Sequence, residues 1–151
     1  MSTVLEQATA ADFDFFIGHW QVSHRKLHRR LSQCNDWDEF SGTCKTQKIL
    51  NNMGNFDDNF LANPEGSYSA ATIRTFSEKT NCWSIWWLDG RNPEQLDVPM
   101  IGKFIDGLGT FYADDMLDGR PIKVRFLWSM PSPDAPRWEQ AFSRDAGLTW
   151  E

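Results

Sequence analysis

All three histidines of the chain lie in one stretch, residues 18–31, whose alternating pattern predicts a long β-strand. Strand side chains point to opposite faces in turn, so His24 and His28 share one face while His19 points to the other. His24 follows Trp20 on its face, which indicates a ligand contact or a general acid or base inside an aromatic cavity. The alternative is a hydrogen-bonded histidine without a functional role.

Metal binding by these histidines is disfavoured by their spacing along the strand. His24 and His28 stand four residues apart, which corresponds to roughly 13 Å at about 3.3 Å per residue. One ion cannot bridge that distance, and His19 points away from both. The Asn- and Asp-rich stretches at 51–60 and 114–118 are typical of turns. We therefore predict no metal site and no cofactor.

Two arginines and one glutamate are predicted to lie near aromatic side chains. Arg91 would lie at a rim, and Arg125 and Glu139 would lie in adjacent strands. An inward arginine would bind a carboxylate or a phosphate in bidentate fashion. The alternative is an internal Arg125–Glu139 pair that stabilises the fold, because buried charges are usually paired. Tyr112 and Gln140 would add neutral hydrogen bonds under either interpretation.

About nine or ten short strands at roughly 8–12-residue spacing must position these groups, which favours an all-β sandwich or barrel. Strands are predicted over 18–31, 37–50, 68–76, 82–88, 100–105, 110–113, 121–130 and 137–143, with another starting near Asn55. Gly42 indicates a bend or bulge. Residues 114–119 and 131–136 are predicted as a turn and a rigid loop. A short helical turn over 12–17 opens a single domain, 12–151, and residues 1–11 are expected to be flexible.

The stretch 82–88 is hydrophobic on both faces. One face carries Trp83, Ile85 and Trp87, and the other carries Ser84, Trp86 and Leu88. Both faces should therefore be covered, one by the barrel interior and the other by a helix, a loop or a second subunit. A two-fold homodimer could supply that cover.

Composition excludes several classes of protein. The net charge of −6 argues against general nucleic-acid binding. No apolar run approaches the ~18 residues of a membrane span, and the N-terminal residues do not resemble a secretory signal. Cys34, Cys44 and Cys82 have neither paired nor metal-like spacing, so we expect reduced thiols and a cytoplasmic protein.

Residues 143–150 match the pattern Ser-x-Asp-x-Gly-x-Thr-Trp, which resembles the Asp-box hairpin of sialidases and propeller proteins. Propellers repeat this motif, whereas this chain has one copy. The motif therefore predicts a turn in which Asp145 caps the backbone and Gly147 takes a positive φ. Glu151 stands two residues into an expected closing strand, so either closure is short or the natural chain extends further.

Three motifs in order resemble the lipocalin-like (calycin) barrels, and in particular a bacterial family of lipocalin-like proteins of unknown function. They are FDFFIGHW at 13–20, WSIWWLDGR at 83–91 and RWEQAFS at 137–143. In such barrels a short helical turn leads into a Gly-x-Trp whose tryptophan closes the floor. The resemblance implies an up-and-down barrel that encloses a small ligand.

We therefore predict a small-molecule-binding barrel whose aromatic-lined cavity, with Phe126 among its walls, holds a hydrophobic or amphipathic ligand that could be anionic. The predicted ligand-binding residues are Trp20, His24, Trp86, Arg91, Tyr112, Arg125, Trp128 and Glu139. The alternative is a cofactor-independent isomerase, cyclase or hydrolase that uses His24 with a cavity carboxylate such as Glu139. A third interpretation is an interaction protein that acts through a homodimer.

Overall fold

A computed structural model of the chain describes residues 7–151, which form an all-β meander of nine antiparallel strands. Each strand pairs with its neighbours in sequence, so the predicted all-β, up-and-down architecture is confirmed. A single 3-10 turn, Asp14–Phe16, precedes the sheet. The strands are β1 Gly18–Leu27, β2 Trp37–Ile49, β3 Gly54–Leu61, β4 Tyr68–Ser77, β5 Cys82–Asp89, β6 Met100–Ile105, β7 Leu108–Leu117, β8 Arg120–Ser132 and β9 Ala135–Ser143.

The sheet curls into a half-barrel. β4 and β8 are four strands apart, which would separate them by about 19 Å in a flat sheet with strands about 4.8 Å apart. The guanidinium carbon of Arg74 in β4 nevertheless lies 5.6 Å from the ring centroid of Trp128 in β8. The inner side of this curl is called the concave face below, and the outer side the convex face.

The C-terminal residues link the two ends of the curled sheet. Glu151 exchanges two backbone hydrogen bonds with Phe142 of β9, at 2.8 and 2.9 Å. Its carboxylate accepts hydrogen bonds from the backbone N–H groups of Ser32 and Gln33, at 3.2 and 3.1 Å, just beyond β1. Within residues 7–151, β1 and β9 form no ladder with each other. Side-chain contacts therefore join these two edges.

The aromatic core lies at the end of the sheet where β1 begins, called the floor below. Phe13 is 1% exposed, and its ring meets Trp83 and Phe104 edge to face at centroid distances of 4.9 Å each. Phe111, at 0% exposure, stacks on Phe13 from β7. The opposite end of the sheet is called the mouth.

Part of the expected flexible N-terminal segment belongs to this packed floor. Ala8 is buried. The side chain of Asn81 accepts a hydrogen bond from the Ala8 N–H at 3.1 Å and donates one to the Ala8 carbonyl oxygen at 3.0 Å. Residues 1–6 of the expected segment lie outside the described residues.

Three local predictions need correction. β7 continues to Leu117, so the turn predicted over 114–119 is confined to 118–119. Asp114 pairs with Lys123 across the ladder and accepts a 2.7 Å hydrogen bond from its ammonium group. The predicted loop at 131–136 is a tight β8–β9 hairpin that pairs Ser132 with Ala135. Of the bend or bulge predicted at Gly42, the bulge is absent, because the register with β1 and β3 is uninterrupted there. Among the described residues, none of the helical structure has the length and apolarity needed to cross a membrane.

The 143–150 motif forms the predicted turn. Asp145 accepts hydrogen bonds from the Ser143 hydroxyl at 2.7 Å, the Thr149 N–H at 2.8 Å and the Thr149 hydroxyl. Gly147 has a φ of 92°. Those hydrogen bonds, with Thr149 as the largest contributor, lower the pKa of Asp145 to about 2.

This depressed pKa predicts a pH-dependent stability. A carboxylate whose folded pKa lies below the unfolded value contributes stability above about pH 4, and the contribution is lost as the pH falls towards about 2. Asp145→Asn should therefore lose stability near neutral pH and differ less from wild type near pH 2. The measurement is the thermal unfolding midpoint of both proteins across that range. Asp134→Asn, at an exposed turn, is the control. An unchanged difference between Asp145→Asn and wild type at both ends of the range would contradict the prediction.

Candidate ligand-binding site

Trp20 lies on the concave face between the aromatic floor and the part of β1 nearer the mouth. Its indole N–H donates to the Phe16 carbonyl at 2.9 Å, and its ring stacks on that of Phe16 at 5.6 Å with an interplanar angle of 9°. The 3-10 turn thus fixes the orientation of the ring. Above Trp20, one set of concave side chains is only partly buried: Val22, His24, Phe40, Asn59, Trp87 and Phe126. Another set on the same face is fully buried: Leu61, Ala70, Ile122, Val124 and Phe142.

His24 lies on the concave face above Trp20, with its ring stacked on Phe40 at 4.9 Å and 18°. Gly42 makes room for this ring, because a Cβ at position 42 would lie 2.9 Å from His24 Nε2 and 2.4 Å from the Phe60 carbonyl oxygen. Burial lowers the pKa of His24, which favours the neutral imidazole. Within residues 7–151, the ring forms no hydrogen bond or ion pair, so both nitrogens are available to a ligand.

A buried polar network lies on the concave face next to the floor, and the sequence analysis did not predict it. Arg74 donates to the Asp57 carboxylate at 2.7 Å and to the Asn55 side-chain oxygen at 2.9 Å. The Asn59 amide donates to the other Asp57 oxygen at 2.6 Å. Cys44 adjoins the network, and burial, followed by the Asp57 charge, raises its thiol pKa to about 11. Cys44 is therefore a poor nucleophile.

Four of the predicted ligand-binding residues lie on the convex face and do not line the concave one. Tyr112 pairs with Arg125, and both alternate with buried core residues; Tyr112 is 49% exposed. Trp86 alternates with the concave Ile85 and Trp87, and Glu139 pairs with the convex Leu127. The structure thus brings Trp20 and His24 together above the core, without Trp86, Tyr112, Arg125 or Glu139.

The predicted internal Arg125–Glu139 pair is absent for the same reason. The Arg125 guanidinium lies 4.4 Å from the Trp150 ring centroid, and Glu139 contacts Arg137 at 3.6 Å on the surface. An internal arginine–carboxylate pair does exist, but Arg74 and Asp57 form it.

Trp128 and Arg91 occupy opposite ends of the fold. Trp128 is buried in the core, edge to face with Phe16 at 4.7 Å, so it supports the floor. Arg91 lies at the mouth, where it donates to both Asp89 oxygens at 3.0 and 2.8 Å and covers the Tyr68 ring at 3.5 Å. Those hydrogen bonds lower the pKa of Asp89. Arg91 is therefore already paired with a carboxylate.

Three groups at the mouth could hold a divalent cation. His28 Nδ1 lies 3.2 Å from an Asp38 oxygen and 3.8 Å from a Glu65 oxygen. The ammonium group of Lys26 stands near both carboxylates, and its positive charge opposes metal binding. These contacts are those of a surface ion-pair cluster.

The arrangement required by the enzyme alternative is not assembled by the predicted residues. His24 lies on the concave face and Glu139 on the convex face, so they cannot act on one substrate from the same cavity. Within residues 7–151, His24 has no carboxylate within ion-pair distance.

Comparison of the chain with models of protein families finds no match. Comparison with the curated proteins also finds none.

Proposed function

We propose that this chain is a small-molecule-binding protein that holds a hydrophobic or amphipathic ligand on the concave face above Trp20. One observation supports this more than any other. The concave face is sealed at the floor by Phe13 and Phe111, whereas above Trp20 Val22, Phe40 and Phe126 are only partly buried, beside the buried Val124 and Phe142. Concave, mostly apolar surfaces with a few polar groups are typical of ligand sites. His24 and Asn59 are the polar groups that would orient the ligand.

The resemblance to lipocalin-like barrels remains a proposal of its own. It is supported by the sequential strand order, by the 3-10 turn beneath the sheet and by the stacking of Trp20 on Phe16. A cytoplasmic location is proposed on the three free cysteines. A homodimer is proposed on the exposed convex side chains of Ile101 and Tyr112, and a monomer by light scattering would overturn it.

Filling the site with a larger side chain should weaken ligand binding. Val22 points into the partly buried half of the concave face, and its neighbour Gln21 is exposed on the convex face. We expect Val22→Trp to weaken binding of the neutral apolar dye phenylnaphthylamine by about tenfold or more, because the indole would occupy the site. Gln21→Trp should leave the affinity within about twofold. The measurement is dye fluorescence on titration.

Native mass spectrometry of freshly purified wild-type protein would identify a captured ligand by its extra mass. Equal dye affinity in wild type and Val22→Trp, with no extra mass on the purified protein, would refute the proposed site.

A further inference from the structure

A cavity of about 440 Å³ opens at the mouth, between the β1–β2 connection and the β7–β8 turn. Its charged lining comprises three full positive charges, a histidine and one carboxylate: Lys26, Arg29, Arg30, His28 and Asp118. Leu27 and Leu117 contribute apolar surface. The cavity is therefore locally cationic in a chain whose net charge is −6.

Lys26 and Arg30 have carboxylates near them but, in the described part of the chain, are not held in a direct ion pair. Within residues 7–151, neither side chain forms a hydrogen bond or an ion pair. The Arg30 guanidinium lies 4.8 Å above the Phe142 ring, while Lys26 is partly buried two residues beyond His24. Desolvation lowers the pKa of both groups, although Arg30 remains partly exposed, and the charge of Arg30 lowers the pKa of Lys26 further. The charges of Glu65 and Asp38 act in the opposite direction on Lys26, as does that of Asp97 on Arg30. An anion between Lys26 and Arg30 would relieve both the desolvation and the repulsion.

Most carboxylates of the mouth are engaged elsewhere. Asp38 and Glu65 surround His28, and Asp89 is bound by Arg91. Asp97 is the exception: burial raises its pKa, the charges of Asp115 and Asp89 raise it further, and the nearby charge of Arg30 lowers it. Asp118 is then the one carboxylate among the residues that line this cavity. Within residues 7–151, no carboxylate forms a direct ion pair with Lys26 or Arg30, so both side chains can contact a ligand anion.

We propose that the ligand carries an anionic head group, a carboxylate, sulfate or phosphate, which Lys26 and Arg30 bind at the mouth while its apolar part lies on the concave face beside His24. This inference rests on the proposed function. The planar guanidinium group of Arg30 can donate two parallel hydrogen bonds to two oxygens of the head group, and the ammonium group of Lys26 supplies a compact positive charge. The apolar part then replaces water along Val22 and Phe126.

Three probes with similar alkyl tails and different head groups distinguish the contribution of the head group to affinity from that of the tail. They are decanoate, decan-1-ol and decyltrimethylammonium, each kept monomeric. Binding is followed by tryptophan fluorescence of the full chain. We expect decanoate to bind wild type about tenfold or more tighter than decan-1-ol, and decyltrimethylammonium to bind weakest. The double variant Lys26→Met and Arg30→Met should lose the preference for decanoate while keeping its affinity for decan-1-ol. Lys79→Met, at the exposed β4–β5 turn near the floor, is the matched control and should change neither affinity.

Wild type alone supplies a second measurement, which does not depend on the folding of a variant. Raising the salt from about 0.02 M to about 0.5 M should weaken decanoate binding several-fold and leave decan-1-ol binding unchanged, because salt screens a partly exposed charge pair. Equal affinity for decanoate and decan-1-ol would overturn the inference and leave the proposed function standing. If no probe binds, both are overturned. The protein could instead sediment with anionic phosphatidylglycerol vesicles and fail to bind monomeric decanoate. That result would overturn the proposal of a free ligand and indicate that the cavity binds a membrane surface.

Discussion

Arg74→Leu should cost about 3–5 kcal/mol of the free energy of unfolding, because it leaves the Asp57 carboxylate buried without its cation. The side chains of Arg74 and Asp57 are 4% and 2% exposed, and their charged atoms lie 2.7 Å apart. After the substitution, Asp57 would retain the amide of Asn59 at 2.6 Å, which does not offset an unpaired charge in the core. Domains of this size unfold with about 5–15 kcal/mol in all, so the loss would be a large fraction.

Substitution of Asp57, alone and together with Arg74, distinguishes the net contribution of the ion pair to stability from the cost of leaving one buried charge unpaired. Asp57→Leu should also destabilise, because Arg74 would keep the Asn55 oxygen and the rings of Phe13 and Phe16 but no anion. The double variant Arg74→Leu and Asp57→Leu should recover most of the loss, since a buried ion pair is often replaceable by apolar side chains of similar volume. Arg137→Leu is the control, because Arg137 forms an exposed pair that contributes about 0–1 kcal/mol.

Urea unfolding of the four variants and wild type is the measurement. A midpoint for Arg74→Leu as high as that for Arg137→Leu would mean that the pair is not buried as described. A double variant less stable than either single variant would instead indicate that the surrounding amides depend on the two charges.

The alternation of β1 was enough to predict the position of His24 on one face with Trp20, because period two is a local property of strands. The same reasoning could have placed Arg125 outside. Arg125 alternates with Val124 and Phe126, and a charge out of phase with an apolar face points to solvent. Tyr112 is likewise out of phase with Phe111, which is fully buried. Arg125 and Tyr112 were predicted as ligand-binding residues because of their chemical type, although their positions in the alternating pattern place them on the outer face.

The Arg74–Asp57 pair could be predicted only in part. Arg74 alternates in step with Ala70 and Phe76 on the buried side of β4. The sequence alone could therefore have predicted that Arg74 is a buried charge. Its partner depends on the register that pairs Asp57 with Thr72, and that register is set by the β3–β4 connection and the curl of the whole sheet. The mouth depends on the same long-range geometry. Arg30 reaches Phe142 only because the two ends of the curled sheet approach each other.

Phe13→Ala should cost about 3–5 kcal/mol, because it removes the ring on which the floor is built and leaves a cavity that the rigid sheet cannot fill. Phe13 is 1% exposed, and its ring contacts side chains from four different strands. Those contacts are with Trp83 and Phe104 at 4.9 Å, Trp128 at 5.7 Å and Phe111 at 5.9 Å. Arg74 would lose a cation–π contact at 5.2 Å as well.

Phe60→Ala supplies the matched control, because Phe60 is 46% exposed on the convex face of β3. Its loss should change the free energy of unfolding by about 0.5 kcal/mol or less. Phe13→Leu should fall between the two, since leucine fills part of the space. Chemical unfolding orders the three variants, and near-ultraviolet circular dichroism reports the packing of Trp83 and Trp128 against the missing ring. If Phe13→Ala and Phe60→Ala were equally stable, the Phe13 ring would not be the centre of the aromatic floor. The ligand site above Trp20 would then lack the fixed floor that the proposed function requires.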